Sequence, residues 1–215
     1  MARKIHNLII LDRSGSMSSM CDAAVASVNE TIGTIQSFIK KNPESKQTIS
    51  LVTFCSCTKE YLFDMINAKS AKKLKSKDYT PCCCTPLYDT IGEACTRLHN
   101  AIENEEDVAV SVTIITDGYE NASQEWNQQA IKSLIERYKK EGWLFAYIGT
   151  DHDVESVAFS LSINNHIKFK KSNEGFQDMA CYESRARNRW MDKIINKVNS
   201  VSECCYDYFD ESDEK

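Results

Sequence analysis

The chain has 215 residues, 42% of them hydrophobic and 27% charged, with 31 acids, 26 bases and a formal net charge of −5. This is too apolar for a disordered chain, and a core of this size buries about 70% of the unfolded surface, so one domain is expected. The charge excess sits at the end: Glu203 to Lys215 holds six acids and one lysine, and the 25 acids and 25 bases before it cancel. A neutral body argues against a nucleic-acid partner, which calls for a basic face. No stretch reaches the roughly 20 apolar residues of a membrane helix. The run Leu8 to Leu11 is also shorter than the ~7 residues of a signal-peptide core. The expectation is a cytoplasmic protein with no membrane partner.

Strand and helix patterns alternate along the chain. Residues 7–12 (NLIILD) form a short apolar run, as in a strand covered on both faces. Val25, Val28, Ile32, Ile35 and Ile39 step by three and four along a helix, which Asn42-Pro43 ends. Residues 48–54 predict a second strand, and residues 58–65 its antiparallel hairpin partner around Cys55-Ser-Cys57. Five lysines between Lys69 and Lys77 read as a solvated surface turn. Leu87, Ile91, Ala94, Leu98 and Ile102 mark a helix opened by Pro86 at its first position. Residues 108–116 (VAVSVTIIT) form the most apolar strand. A helix over 123–140 carries Trp126, Ile131, Leu134 and Tyr138 on one side and stops at Gly142. Strands over 143–149 and 166–169, a short helix over 153–161 and a long one over 173–199 complete the pattern.

This alternation predicts an α/β fold: a doubly wound, mostly parallel sheet of about six strands, one of them an antiparallel edge, with helices on both faces. The domain is expected over 1–202, with its core at about 4–170 and an acidic, disordered tail over 203–215. Ten cysteines (Cys21, Cys55, Cys57, Cys82, Cys83, Cys84, Cys95, Cys181, Cys204 and Cys205) are expected to be mostly reduced thiols.

In such sheets ligands bind beyond the carboxyl ends of the strands. After the first strand stands Asp12-Arg-Ser14-Gly-Ser16, after the central strand Thr116-Asp117-Gly118, and before the 87–102 helix Cys84-Thr85-Pro86. These loops supply carboxylate and hydroxyl oxygens, which suit Mg²⁺, Mn²⁺ or Ca²⁺ better than zinc. Neutral hydroxyls leave an ion electrophilic enough to accept a partner's carboxylate. Without metal, Asp12 and Asp117 are expected to repel or to take up protons.

The constellation resembles the metal-ion-dependent adhesion site of von Willebrand factor A domains, the Rossmann-like fold called the I domain in integrins. Its Asp-x-Ser-x-Ser, Thr and Asp pattern is matched by Asp12, Ser14, Ser16, Thr85 and Asp117. The stretches 116–123, 142–147 and 149–151 look like small intracellular A-domain proteins of bacteria and phages. The resemblance implies a non-catalytic adaptor that recognises an acidic residue of a protein partner, such as an AAA-class ATPase, a kinase or a stress-response protein. This chain departs from many members in carrying Cys82-Cys83-Cys84 where a glycine precedes the threonine.

A hydrolase is disfavoured because the glycine of a Gly-x-Ser-x-Gly elbow is absent before Ser14 and Ser16, and a Gly-x-x-x-x-Gly-Lys phosphate loop is missing. His6, His99, His152 and His166 show no pattern that would serve Ser14, although His152 lies close enough to reach the rim. The alternative function is a cysteine-based zinc-binding or redox-responsive protein, with Cys55, Cys57 and Cys82 to Cys84 brought together if the hairpin tip lies near the threonine loop. Arg13, Met17, Tyr119, Glu120 and Asn121 are expected to surround the metal, either as partner-binding residues or as ordinary loop.

Overall fold

Alternating inward and outward side chains on a strand call for a helical layer on each face. The computed structural model describes residues 3–150, 153–196 and 208–209. In chain order the elements are β1 (Lys4–Asp12), α1 (Cys21–Lys41), β2 (Lys46–Cys55), β3 (Thr58–Asn67), α2 (Leu87–Ile102) and β4 (Val108–Thr116). They continue with α3 (Gln128–Lys140), β5 (Trp143–Gly149), α4 (Val154–Ser160), β6 (Asn165–Lys168) and α5 (Asn173–Asn196). The sheet order is β3-β2-β1-β4-β5-β6. Every pairing is parallel except β2 with β3, so the hairpin forms the antiparallel edge.

Leu8 and Ile10 of β1 pack with Leu87, Ile91 and Leu98 of α2 and Ile131 and Ile135 of α3. Ile9 and Leu11, pointing the other way, pack with Val28, Ile32 and Ile35 of α1 and Phe176 of α5. The chain winds from β1 to β2 in one direction, then returns to β4 on the other side of β1. The winding therefore reverses between β1 and β4, and a crevice opens beyond their carboxyl ends.

Several boundaries differ from the sequence reading for local reasons. Pro86 is the N-cap of α2 rather than its first residue. Residues 123–127 are not helical, because their amides are taken by carboxylates: Asp89 accepts from Gln124, Glu125 and Trp126, and Glu120 accepts from Ser123. Helix α3 starts only where Asn127 caps it, accepting from the Ala130 amide. Trp126 instead covers Gly92, where a Cβ would stand 2.3 Å from the indole. The five lysines of the 69–77 stretch are exposed, as a solvated turn requires. The end of the expected 173–199 helix, past Asn196, and most of the 203–215 tail lie outside the described residues. Tyr208 and Phe209, expected in that tail, are packed instead, with Tyr208 only 3% exposed.

Beneath Tyr208 lies a buried polar cluster. Arg187, fully buried, donates to Asn7 Oδ1 (2.9 Å), Ser111 Oγ (3.0 Å), Thr113 Oγ1 (2.7 Å) and Glu183 Oε1 (2.5 Å). Tyr208 donates its hydroxyl to the same Glu183 oxygen at 3.1 Å. Asn7, the polar interruption in an apolar strand, is thereby explained: it links β1 to α5. Glu183→Ala leaves a buried guanidinium uncompensated and should lower stability by about 3–5 kcal/mol. Urea denaturation checks this; a midpoint equal to wild type would contradict the account.

Candidate metal centre

Asp12 is the last residue of β1 and Asp117 the first after β4, so the two carboxylates stand at the ends of neighbouring strands. Both are buried, at 0% and 4% exposure. Asp12 Oδ1 accepts from the Ser14 amide (2.7 Å) and Oδ2 from Thr116 Oγ1 (2.7 Å), while Tyr79 donates to the Asp12 carbonyl (2.5 Å). Ser16 Oγ donates to Asp117 Oδ1 at 2.5 Å. A hydroxyl has one proton, so Ser14 must be the donor in its 3.0 Å contact with Ser16. Asp12, Ser14, Ser16 and Asp117 thus form one hydrogen-bonded chain, with Asp12 joined to it through the Ser14 amide.

Thr85, also buried, is held through its backbone by Asn121. Its amide donates to Asn121 Oδ1 (2.8 Å) and its carbonyl accepts from the Asn121 amide (3.2 Å). Two further backbone bonds, Gly15 N to Cys83 O (3.0 Å) and Cys82 N to Arg13 O (2.8 Å), fasten the Thr85 loop to the Asp12–Ser16 loop. No hydrogen bond linking the other four residues includes the Thr85 hydroxyl.

Burial pushes the Asp12 carboxyl up to about 6, against the lowering hydrogen bonds from Thr116 and Ser14. The charge of Asp117 contributes least, so burial rather than mutual repulsion governs Asp12. Asp117 Oδ2 is buried and accepts no well-aligned hydrogen bond, but the Lys171 ammonium lies 2.9 Å away. The ammonium satisfies the charge of Asp117 without satisfying the directional requirement of its oxygen. Two buried carboxylates, two converging hydroxyls and an incompletely satisfied oxygen make a donor set that fits a hard divalent cation.

The rim is only partly as expected. Met17 is fully buried in the core beneath the loop. Arg13 donates to the Thr80 carbonyl and to Glu60, bracing the Thr85 loop. Glu120 accepts from the amides of Tyr88, Ala122 and Ser123, and Asn121 clamps Thr85, so both are positioning residues. Of the five, Tyr119 (at 55%) and Asn121 are exposed. His152 lies outside the described residues. Sequence reasoning missed Lys171, Tyr79 and Thr116; a lysine just beyond β6 could have been found only from the rule that post-strand loops gather on one edge.

No family model matches the chain, and no curated protein does. Solved structures do. Proximal thread matrix protein 1 of the mussel byssus, in a structure with a zinc-occupied MIDAS motif, is 18% identical with a TM-score of 0.55, over 95% of this chain and 46% of that one. A von Willebrand factor type A protein from Catenulispora acidiphila is 13% identical, TM-score 0.56, over 85% of this chain and 43% of that one. BatB from Bacteroides thetaiotaomicron is 14% identical, TM-score 0.51, over 86% of this chain and 98% of that one. The chain therefore has a von Willebrand factor A-like fold, and it spans less than half the length of the first two of these structures. Among the described residues no helix is long and apolar enough to cross a membrane.

A raised carboxyl pKa favours the protonated form in the folded state, so Asp12 lowers stability as pH rises from about 4 through about 6. In EDTA at pH 7.5, Asp12→Asn should therefore be more stable than wild type by about 2–3 kcal/mol. The difference should close as pH falls from 6 towards 4. Denaturant titrations at several pH values test this; a gap that stays constant with pH would contradict it.

Proposed function

We propose that this is a non-catalytic, divalent-cation-dependent binding module that recognises an acidic side chain on a protein partner. The observation that carries the reading is the hydrogen-bonded chain of Asp12, Ser14, Ser16 and Asp117 at the reversal point of the sheet, with the Asp117 oxygen still short of a directional partner. Ser14, Ser16 and Asp117 would hold the ion, with Asp12 contributing charge and Thr85 completing the site from its clamped loop. The donors are all hard oxygens, which favours Mg²⁺ or Mn²⁺, with Ca²⁺ as a third candidate. The zinc in the MIDAS motif of the mussel byssus protein supports a divalent ion at this position of the fold. When bound, the ion supplies electrophilic attraction for an incoming carboxylate.

The chain's own residues support binding rather than turnover. The candidate nucleophiles Ser14 and Ser16 bond to each other and to Asp117, and among the described residues not to a histidine. Tyr119 provides an exposed aromatic beside the site, a residue type enriched where partners bind tightly. The partner class follows from charge: a carboxylate donor, on an AAA-class ATPase, a kinase or a stress-response protein by resemblance to intracellular bacterial A-domain proteins. A cytoplasmic location belongs to the same proposal.

Cation binding stabilises the folded state by about 2.7 kcal/mol at 100 times the dissociation constant, which should raise Tm by about 5–10 °C. Thermal scans in EDTA and in millimolar Mg²⁺ that superimpose would contradict the reading. Affinity capture with and without Mg²⁺ should recover a partner only with the cation. Thr85→Ala should weaken capture more than cation binding, and Asp117→Ala should abolish both. Equal loss of cation binding in the two variants would mean that Thr85 acts as a primary ligand and not chiefly in partner binding.

A further inference from the structure

Three cysteine sulfurs from two separate segments meet beside the Thr85 loop, and a fourth touches one of them. Cys55 ends β2 and Cys57 lies in the turn to β3, while Cys82 and Cys83 approach Thr85 from the other side. Cys55 Sγ is 2.8 Å from Cys82 Sγ. Cys57 and Cys83 are joined as a disulfide, and the sulfurs of Cys57, Cys82 and Cys83 all lie within 4.8 Å of one another. A disulfide alone would need only two of the four.

The backbone adds a second observation. Cys83 has φ of 57°, in the left-handed region that favours glycine. A side chain there costs about 1–2 kcal/mol, and this chain keeps a thiol at that position. Such strain persists where the side chain has a task. Cys55 is buried while Cys57 and Cys83 are exposed, so the cluster is anchored on one side and open to solvent on the other. Its ligands are sulfur only, which selects a soft cation over the hard ions that suit the neighbouring oxygen site. Sulfurs about 3.8 Å apart surround tetrahedral zinc at ~2.3 Å; those of Cys57, Cys82 and Cys83 lie within 4.8 Å of one another, and Cys55 reaches Cys82 at 2.8 Å.

We propose that the reduced chain binds one zinc ion through the thiolates of Cys55, Cys57, Cys82 and Cys83. This site is separate from the oxygen centre and does not depend on the function assigned there. A dithiol reductant supplies two electrons and two protons to the Cys57–Cys83 disulfide, becoming a disulfide itself and leaving two thiols. Zinc then replaces the protons of the four thiols. Because the Cys83 carbonyl accepts from Gly15 and the Cys82 amide donates to Arg13, zinc here also fixes the loop that carries Thr85.

The test uses the full chain, reduced with a dithiol and freed of metal. Equilibrated with Zn²⁺ in excess Mg²⁺, it should retain one zinc per chain by elemental analysis. Co²⁺ in its place should give thiolate-to-metal charge-transfer absorption and the intense visible bands of tetrahedral sulfur ligation. Cys82→Ser should weaken zinc at least about 100-fold, while Asp117→Ala keeps it. Alkylation mapping of the wild type, which needs no variant to fold, should show zinc protecting Cys57, Cys82 and Cys83 but not Cys84. Zinc lost with Asp117→Ala and kept with Cys82→Ser would place it in the oxygen site and overturn the proposal. So would absence of zinc uptake by the reduced chain, which would leave only a disulfide.

Discussion

Burying two carboxylates side by side at the ends of apolar strands is the constraint on which the rest of this structure depends. Asp12 and Asp117 have almost no exposure to water, so their charge must be met by protein groups, protons or a cation. The protein answers in all three ways. Hydroxyls and amides from Ser14, Ser16 and Thr116 supply hydrogen bonds, burial raises the proton affinity of Asp12, and the Lys171 ammonium stands against Asp117. An ammonium is a poor match for an octahedral set of oxygens, because it offers three donors and no coordination geometry. Under the proposed function, a divalent ion would meet that oxygen set better and would displace Lys171 from Asp117.

The surrounding loops serve this arrangement. Glu120 and Asp89 together collect amides from the start of α2 and from the segment before α3, so these two pieces of backbone form one rigid block. Asn121 extends the block to Thr85. Burial opposes the Asp89 charge, but three backbone amides outweigh it and hold its carboxyl below the usual value. The residues that first look like a binding rim are therefore mostly the frame of the site. The cysteine cluster sits at the opposite end of the Thr85 loop, where it fastens that loop to the β2–β3 turn.

Much of this was legible in the sequence. The 3.6-residue spacing in α1 and α2 and the apolar runs of β1, β4 and β5 identified the layers, and the order of elements identified the sheet. Asp12, Ser14, Ser16 and Asp117 could be placed together because strand ends in a parallel sheet share one edge. What the sequence hid were effects of particular side chains on distant backbone. The apolar spacing through Trp126 continues that of α3, yet Asp89, 37 residues earlier, captures the amides that a helix would need. Met17 looked like a loop residue near the metal, but the Gly15–Met20 turn buries it. Lys171 carried no local signal, since nothing near it in sequence reveals that its ammonium reaches across to Asp117. Arg187, which donates to Asn7, is likewise 180 residues away.

The central claim is that a divalent cation occupies the space between the carboxylates of Asp12 and Asp117. Crystals of the full chain grown with Mn²⁺, measured at the manganese absorption edge, test it directly. The account predicts a single anomalous peak bonded to the hydroxyl oxygens of Ser14 and Ser16, with the Lys171 ammonium displaced from Asp117. Lys171 still paired with Asp117 at saturating Mn²⁺, and no peak between the two strand ends, would contradict it.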